Sequence, residues 1–313
     1  ILDKLDQTKL FKKIAPNILK NVLVNNDQLN NSLFGLSISD FNFSPKDENG
    51  NSIFISELKK LVSLLPSIGK VADVFKQGNI DEQLKNIDLT DLEKILTGII
   101  DNKVINPEKR IDGSNLVKND NFNRFLIGLF KNEAFTKIGL SLPNDLNKIV
   151  WLGENGEIKH LINFLKVVQD NYSFFTSDNV DLNNISPRMI RELFEKIGSV
   201  ELFKESLPKM LNSKIAPLLD KIGVSLNFYV IDDYALEGEV LSSIIEKLQQ
   251  LGTTDFTKVD FLSLDPVQVN SLLTTLAQSS LLKVQIDESG YYVDKFGQVL
   301  YSMMNNSNIK SIF

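Results

Sequence analysis

Residues 202–226 read LFKESLPKMLNSKIAPLLDKIGVSL, opening on Leu202-Phe203-Lys204 and closing on Gly223-Val224-Ser225-Leu226. Both ends of this stretch recur. Leu-apolar-Lys stands also at Leu10-Phe11-Lys12, Leu116-Val117-Lys118 and Leu281-Leu282-Lys283. Gly-apolar-Ser-apolar stands also at Gly35-Leu36-Ser37-Ile38 and Gly139-Leu140-Ser141-Leu142. A third signature, apolar-Asp-apolar, follows at Ile87-Asp88-Leu89, Val180-Asp181-Leu182 and Val259-Asp260-Phe261. The step from first to second signature is 25, 23 and 21 residues in successive cycles, and from the third to the next first it is 29, 22 and 22. A single tripeptide in a chain this rich in Leu, Lys and Ile means little. Shared order with near-shared spacing over three cycles points to a repeat architecture. The glycine signature returns after 104 and then 84 residues, longer than the roughly 30–50 residues of common helical solenoids. Each unit is therefore closer to a small domain than to a helical hairpin, with boundaries at 1–86, 87–179, 180–258 and a partial fourth unit at 259–313.

Apolar periodicity gives each unit about three helices. Met189, Leu193, Phe194 and Ile197 keep helical spacing in a first helix, as do Leu272, Leu273 and Leu276. The chain opens inside such a helix and stops within a fourth cycle, as a segment of a longer array would. Phe125, Leu126, Leu129 and Phe130 mark a second helix, and Val240, Leu241, Ile244, Ile245 and Leu248 a third. Ile158, Leu161, Ile162, Leu165 and Val168 repeat that third stripe, as do Leu58, Leu61, Val62 and Leu65, where Pro66 is expected to stop the run. Helix starts are signposted by Asp265-Pro266-Val267-Gln268, Ser186-Pro187 and Thr90-Asp91-Leu92-Glu93. The recurring Asp88, Asp181 and Asp260 are expected to cap neighbouring amides, and Gly35, Gly139 and Gly223 to take left-handed helix exits. Between second and third helices the chain varies most, through Asp47-Glu48-Asn49-Gly50, Glu154-Asn155-Gly156 and Asp232-Asp233. Asn-Gly between apolar residues, as in Ile149-Val150-Trp151 and Glu157-Ile158, predicts a short β-hairpin. The expected fold is mainly α: stacked tandem repeats with room for one short hairpin in each unit.

Composition narrows the chemistry. The 313 residues carry 34 Lys+Arg against 40 Asp+Glu, a net charge of −6, which argues against a nucleic-acid or anionic-membrane footprint. No stretch approaches the about 20 apolar residues of a membrane span. Without cysteine there is no disulfide, thiolate metal site or cysteine nucleophile, and the single histidine, His160, excludes multi-histidine metal centres. His160 is expected to be a solvated or capping residue, because nothing in the sequence orients it. Asp232-Asp233 reads as a turn. Asp47–Asn51 looks like a calcium loop but has Pro45 at the first ligand position and Ser56 at the bidentate one. No cofactor or catalytic constellation emerges. Phe outnumbers Tyr and Trp, at 20 against 6 and 1, the bias of a core rather than of a sugar or base platform. Trp151 is expected in the inter-helix core, and any adhesive contact is to be sought at Trp151, Glu154, Asn155 and Gly156.

The repeat signatures, together with 30 Lys to 4 Arg and 32 Asn, resemble in style the large repetitive cell-surface proteins of low-GC bacteria. The resemblance implies a non-enzymatic spacer, extracellular or on the cell surface, that presents variable loops to a protein or surface partner. A cytoplasmic address is equally compatible with the lack of cysteine. Two other readings fit the composition: an inter-helix cavity for an apolar, lipid-like ligand, and a hydrolase using carboxylates from different units.

Overall fold

A computed structural model describes residues 14–18, 20–21, 36, 41–76, 80–106, 121–143, 145–146, 149–176, 185–214, 216–217, 231, 233–250, 252, 265–280, 285–286, 292–293, 297 and 301. Over these residues the chain is mainly helical. The helices are α1 (Phe54–Lys76), α2 (Ile80–Asn86), α3 (Leu89–Asp101), α4 (Asn121–Phe130), α5 (Glu133–Lys137), α6 (Glu157–Asp170), α7 (Tyr172–Thr176), α8 (Pro187–Gly198), α9 (Leu207–Lys214), α10 (Tyr234–Gln250) and α11 (Pro266–Gln278), with a 3-10 turn at Glu201–Phe203. Two strands of two residues, β1 (Gln285–Ile286) and β2 (Tyr292–Val293), pair antiparallel with Gln285 opposite Val293. No helix among the described residues is long and apolar enough to cross a membrane.

Two compact units partition the chain: 1–137 with 141–166, and 138–140 with 167–313. In the first, α1 packs on α3. The α3 stripe Leu92, Ile95, Leu96, Ile99 and Ile100 is buried, and α1 answers with Leu64 and Val71. Gly98 makes the approach close, since a Cβ there would lie 2.6 Å from a Leu64 methyl carbon. Phe135 of α5 holds Phe130 and Phe75 at ring separations of 4.5 and 6.1 Å. In the second unit α8 lies against α10, which in turn meets α11. The α8 residues Met189, Ile190, Leu193, Phe194 and Ile197 form one buried stripe. Each large apolar side chain so buried contributes roughly 1.5–3 kcal/mol. Gly238 sits where any Cβ would come within 2.5 Å of the Phe194 Cβ.

Helix entrances follow the local chemistry. Asp88 accepts the N–H groups of Thr90 and Asp91 at the start of α3. Asp265 accepts those of Val267 and Gln268, while Gln268 reaches back to the Asp265 N–H, a full capping box on α11. Ser186 stands at the α8 N-cap with Pro187 behind it and makes no side-chain bond there. Gly139, just beyond α5, has φ +82. Asp181, Asp260, Gly35 and Gly223 lie outside the described residues.

Two local expectations are corrected. Pro66 does not end its helix: α1 runs through it to Lys76. The missing N–H leaves the Val62 carbonyl without its helical donor, but Val62 is exposed, so water can serve that oxygen. Ser67, Leu64 and Val71 hold the helix on α3 across the defect. Nor does the Trp151 region form a hairpin. The turn closes from Gly156 N–H to the Gly153 carbonyl, with Gly153 at φ +107, and the Glu157 and Ile158 N–H groups donate to Val150 and Trp151. These are first-turn amides of α6, which have no partner within their own helix and take the preceding carbonyls instead.

Candidate functional site

The segment Asp47–Asn51 is a closed loop. An isolated antiparallel bridge joins Lys46 to Ser52, Gly50 takes φ +79, and the Asp47 carboxylate accepts the N–H groups of Asn49 and Asn51 and the Asn51 side-chain amide. The Asn51 amide, foremost among these donors, holds the Asp47 carboxyl below its ordinary value. Its oxygens serve the loop's own donors. Among the described residues no group of three His, Cys, Asp or Glu side chains is placed to hold a metal ion.

At the second turn Trp151 is 1% exposed, its ring edge-on to Phe122 with centroids 4.8 Å apart. The indole Nε1 finds no hydrogen-bond acceptor among the described residues. The ring is core, so what this turn offers to the outside is Glu154 and Asn155, with Gly156 buried beneath. A Cβ on Gly156 would meet the Trp151 carbonyl oxygen at 2.7 Å, so the close backbone approach in this turn has room only for glycine. His160 stands half-buried on α6, its N–H bonded to the Gly156 carbonyl. At the third turn Asp232 lies outside the described residues, while Asp233 is exposed and accepts the Leu236 N–H, a capping bond on α10.

Just past each of these three segments sits a buried glutamate. Glu57 is 4% exposed, Glu157 3% and Glu237 1%. Glu57 accepts the Lys60 ammonium on Oε1 at 2.7 Å and the Lys103 N–H on Oε2 at 2.8 Å. That ion pair, chiefly the bond itself, raises the Lys60 pKa. The Asn102 side chain also donates to the Glu57 carbonyl at 2.9 Å. Glu237 accepts the Ser279 hydroxyl on Oε1, and the Ser280 N–H and hydroxyl on Oε2 at 2.9 and 2.6 Å. Asn102 and Ser279 are the C-caps of α3 and α11, so each carboxylate closes on the residue immediately after the C-cap of the neighbouring helix. A helix exit leaves carbonyls and following amides to be satisfied, and here a carboxylate from another helix takes the amide. The far ends of the same helix pairs are tied differently: Ser67 and Lys70 bond Asp91 at 2.6 and 2.8 Å, whereas Lys247 bonds Ser271 at 2.9 Å.

Sequence reasoning passed over these glutamates. The signal was present as Glu-x-x-x-Leu in Glu57…Leu61, Glu157…Leu161 and Glu237…Leu241, but an acid in a first helical turn reads by default as a solvated dipole partner. Beside the Glu57 joint an open groove of about 470 Å³ runs between α1 and α3, lined by Lys60, Glu93, Lys94 and Asp101 with Thr90 and Thr97. Leu64 and Gly98 lie among these charged and hydroxyl side chains, whose aliphatic stems make most of the exposed wall apolar. No family model, curated protein or solved structure matches the chain.

Proposed function

We propose that the chain is a non-enzymatic segment of a tandem helical-repeat scaffold in a large extracellular or cell-surface protein, spacing its neighbours and offering variable turns to a partner. One observation carries this reading. A long helix carries a buried glutamate in its first turn, and that carboxylate closes on the exit of a later helix, with the same bond at Glu57 and at Glu237. Repeating a joint while varying the turn before it is how stacked units keep their geometry and diversify their surface. Asp47–Asn51 and Gly153–Gly156 differ in sequence and in backbone path, yet both leave polar residues exposed ahead of the glutamate.

Surface proteolysis of intact cells of the source organism, with mass spectrometry of the released peptides, tests this reading. Cleavage within residues 47–51 or 153–156 on intact cells supports it. Release of these peptides only after lysis, in equal yield with cytoplasmic proteins, overturns the surface assignment.

A further inference from the structure

Of the 32 asparagines two precede glycine, and both do so in the same tripeptide: Glu48-Asn49-Gly50 and Glu154-Asn155-Gly156. The pairing matters chemically. Glycine has no Cβ to shield its backbone nitrogen, so that nitrogen can reach the side-chain carbonyl carbon of the asparagine before it. Both asparagines are exposed, but the two glycines are held differently. Gly50 is exposed with φ +79, and beyond its chain neighbours no atom lies within 4 Å of where a Cβ would stand. Gly156 is buried, and the same point lies 2.6 Å from the Leu152 carbonyl carbon and 2.7 Å from the Trp151 carbonyl oxygen. Hydrogen bonding separates them further. The Gly50 N–H donates to the Asp47 carbonyl at 3.0 Å, within a turn of exposed and half-buried residues that opens at little cost. The Gly156 N–H donates to Gly153, and its carbonyl accepts the Lys159 and His160 N–H groups at the entrance of α6. Turning the Asn155–Gly156 peptide would undo that entrance and drive it into the Leu152 backbone.

We infer that Asn49 is a site of covalent modification in the folded chain, through attack of the Gly50 nitrogen on its side chain, and that the fold withholds Asn155 from the same reaction. The Gly50 N–H gives its proton to solvent hydroxide as the nitrogen bonds to Asn49 Cγ. The Cγ–Nδ2 bond breaks, and the leaving nitrogen takes a proton from water and departs as ammonia. Water then opens the resulting succinimide at either of its two carbonyls, giving aspartate or isoaspartate at position 49. In sum one water enters and one ammonia leaves, and nothing is oxidised or reduced. Among the described residues the Asn49 side chain holds no hydrogen bond that this would break. The product carries one more negative charge, beside Asp47 and Glu48. Its isoaspartyl form also lengthens the main chain between the Asn49 and Asn51 N–H groups that the Asp47 carboxylate holds, inside the loop closed by the Lys46–Ser52 bridge. The inference uses local geometry alone and stands apart from the surface-scaffold reading.

Peptide mapping by mass spectrometry tests it. The full 313-residue chain is held at mildly alkaline pH, and the peptides spanning Asn49 and Asn155 are followed for amide-to-acid exchange and for the isoaspartyl form. In the folded chain the Asn49 peptide should convert at least about 10-fold faster than the Asn155 peptide. In urea, where neither turn persists, the shared Glu-Asn-Gly tripeptide should bring the two rates within about twofold of each other. Equal conversion in the folded chain overturns the inference. So does an Asn49 that stays intact in the folded chain while both convert in urea, which would make the Gly50–Asp47 bond protective. A rate ratio that persists unchanged in urea overturns it as well, because flanking sequence rather than the fold would then set the difference.

Discussion

A carboxylate buried beside a backbone N–H is costly to disturb, because its partner is left without an acceptor. Glu57→Ala strips the Lys103 N–H and the Lys60 ammonium of their acceptor, and Glu237→Ala does the same to Ser279 and Ser280. Each should lower stability by about 1–3 kcal/mol, read from urea denaturation of each variant beside the parent. The repeat reading expects similar losses at the two positions; a large loss at one and none at the other would count against it. Asp91 supplies a pH signature. The Lys70 bond first, and then the Ser67 hydroxyl, hold its carboxyl below the ordinary value of 3.8. The unfolded chain therefore takes up this proton before the folded one does. The stabilisation is present above about pH 4 and is lost as pH falls through the depressed folded value. Asp91→Asn should flatten that part of the acid limb in a denaturation series from pH 6 to pH 2, and an unchanged limb would remove Asp91 as a contributor.

Helices here are decided by more than propensity. Pro66 inside α1 forfeits a hydrogen bond that Ala would make, so Pro66→Ala should raise stability by about 1–2 kcal/mol after the entropy returned to the unfolded chain. Circular dichroism with thermal melting would show it, and a fall in Tm would mean that the proline shapes a bend α1 needs. Gly238 tests the opposite balance. Ala gains about 1 kcal/mol in a helix interior, yet here its Cβ would meet the Cβ of Phe194 at 2.5 Å. That atom can retreat only if α8 shifts. Gly238→Ala should thus be net destabilising by about 1–2 kcal/mol, and a stabilised variant would mean that α8 and α10 slide apart easily.

At the scale of the molecule, the only tryptophan reports on one region. Trp151 is buried against Phe122 in the first compact unit, so its emission should be blue-shifted in the native chain and move to the red on unfolding. Glu57→Ala should move the midpoint of that fluorescence transition to lower denaturant. Native emission already at the red position of free indole would show the ring to be solvated and would return Trp151 to the contact surface.

What the sequence determined by itself is what acts over one or two turns of chain. Asp88 and Asp265 cap helices because their oxygens reach amides two and three residues on. The apolar spacing of α3, α8 and α10 selects helix and chooses the buried face without reference to a distant partner. Tertiary structure decided what depends on long reach. Glu57 and Glu237 are buried because amides 46 and 43 residues away need an acceptor, and no local pattern distinguishes them from solvated first-turn acids. The helix survives Pro66 because Leu64, Ser67 and Val71 pack on α3. Trp151 is buried, as its size already favoured, but its partner Phe122, far off in sequence, is chosen only by packing. The turn before α6 became a helix entrance rather than a hairpin because the Glu157 and Ile158 amides belong to a helix that needed acceptors behind it. Local chemistry chose where helices begin and which side is apolar; the long-range bonds available only once those helices pack chose which polar groups go inside.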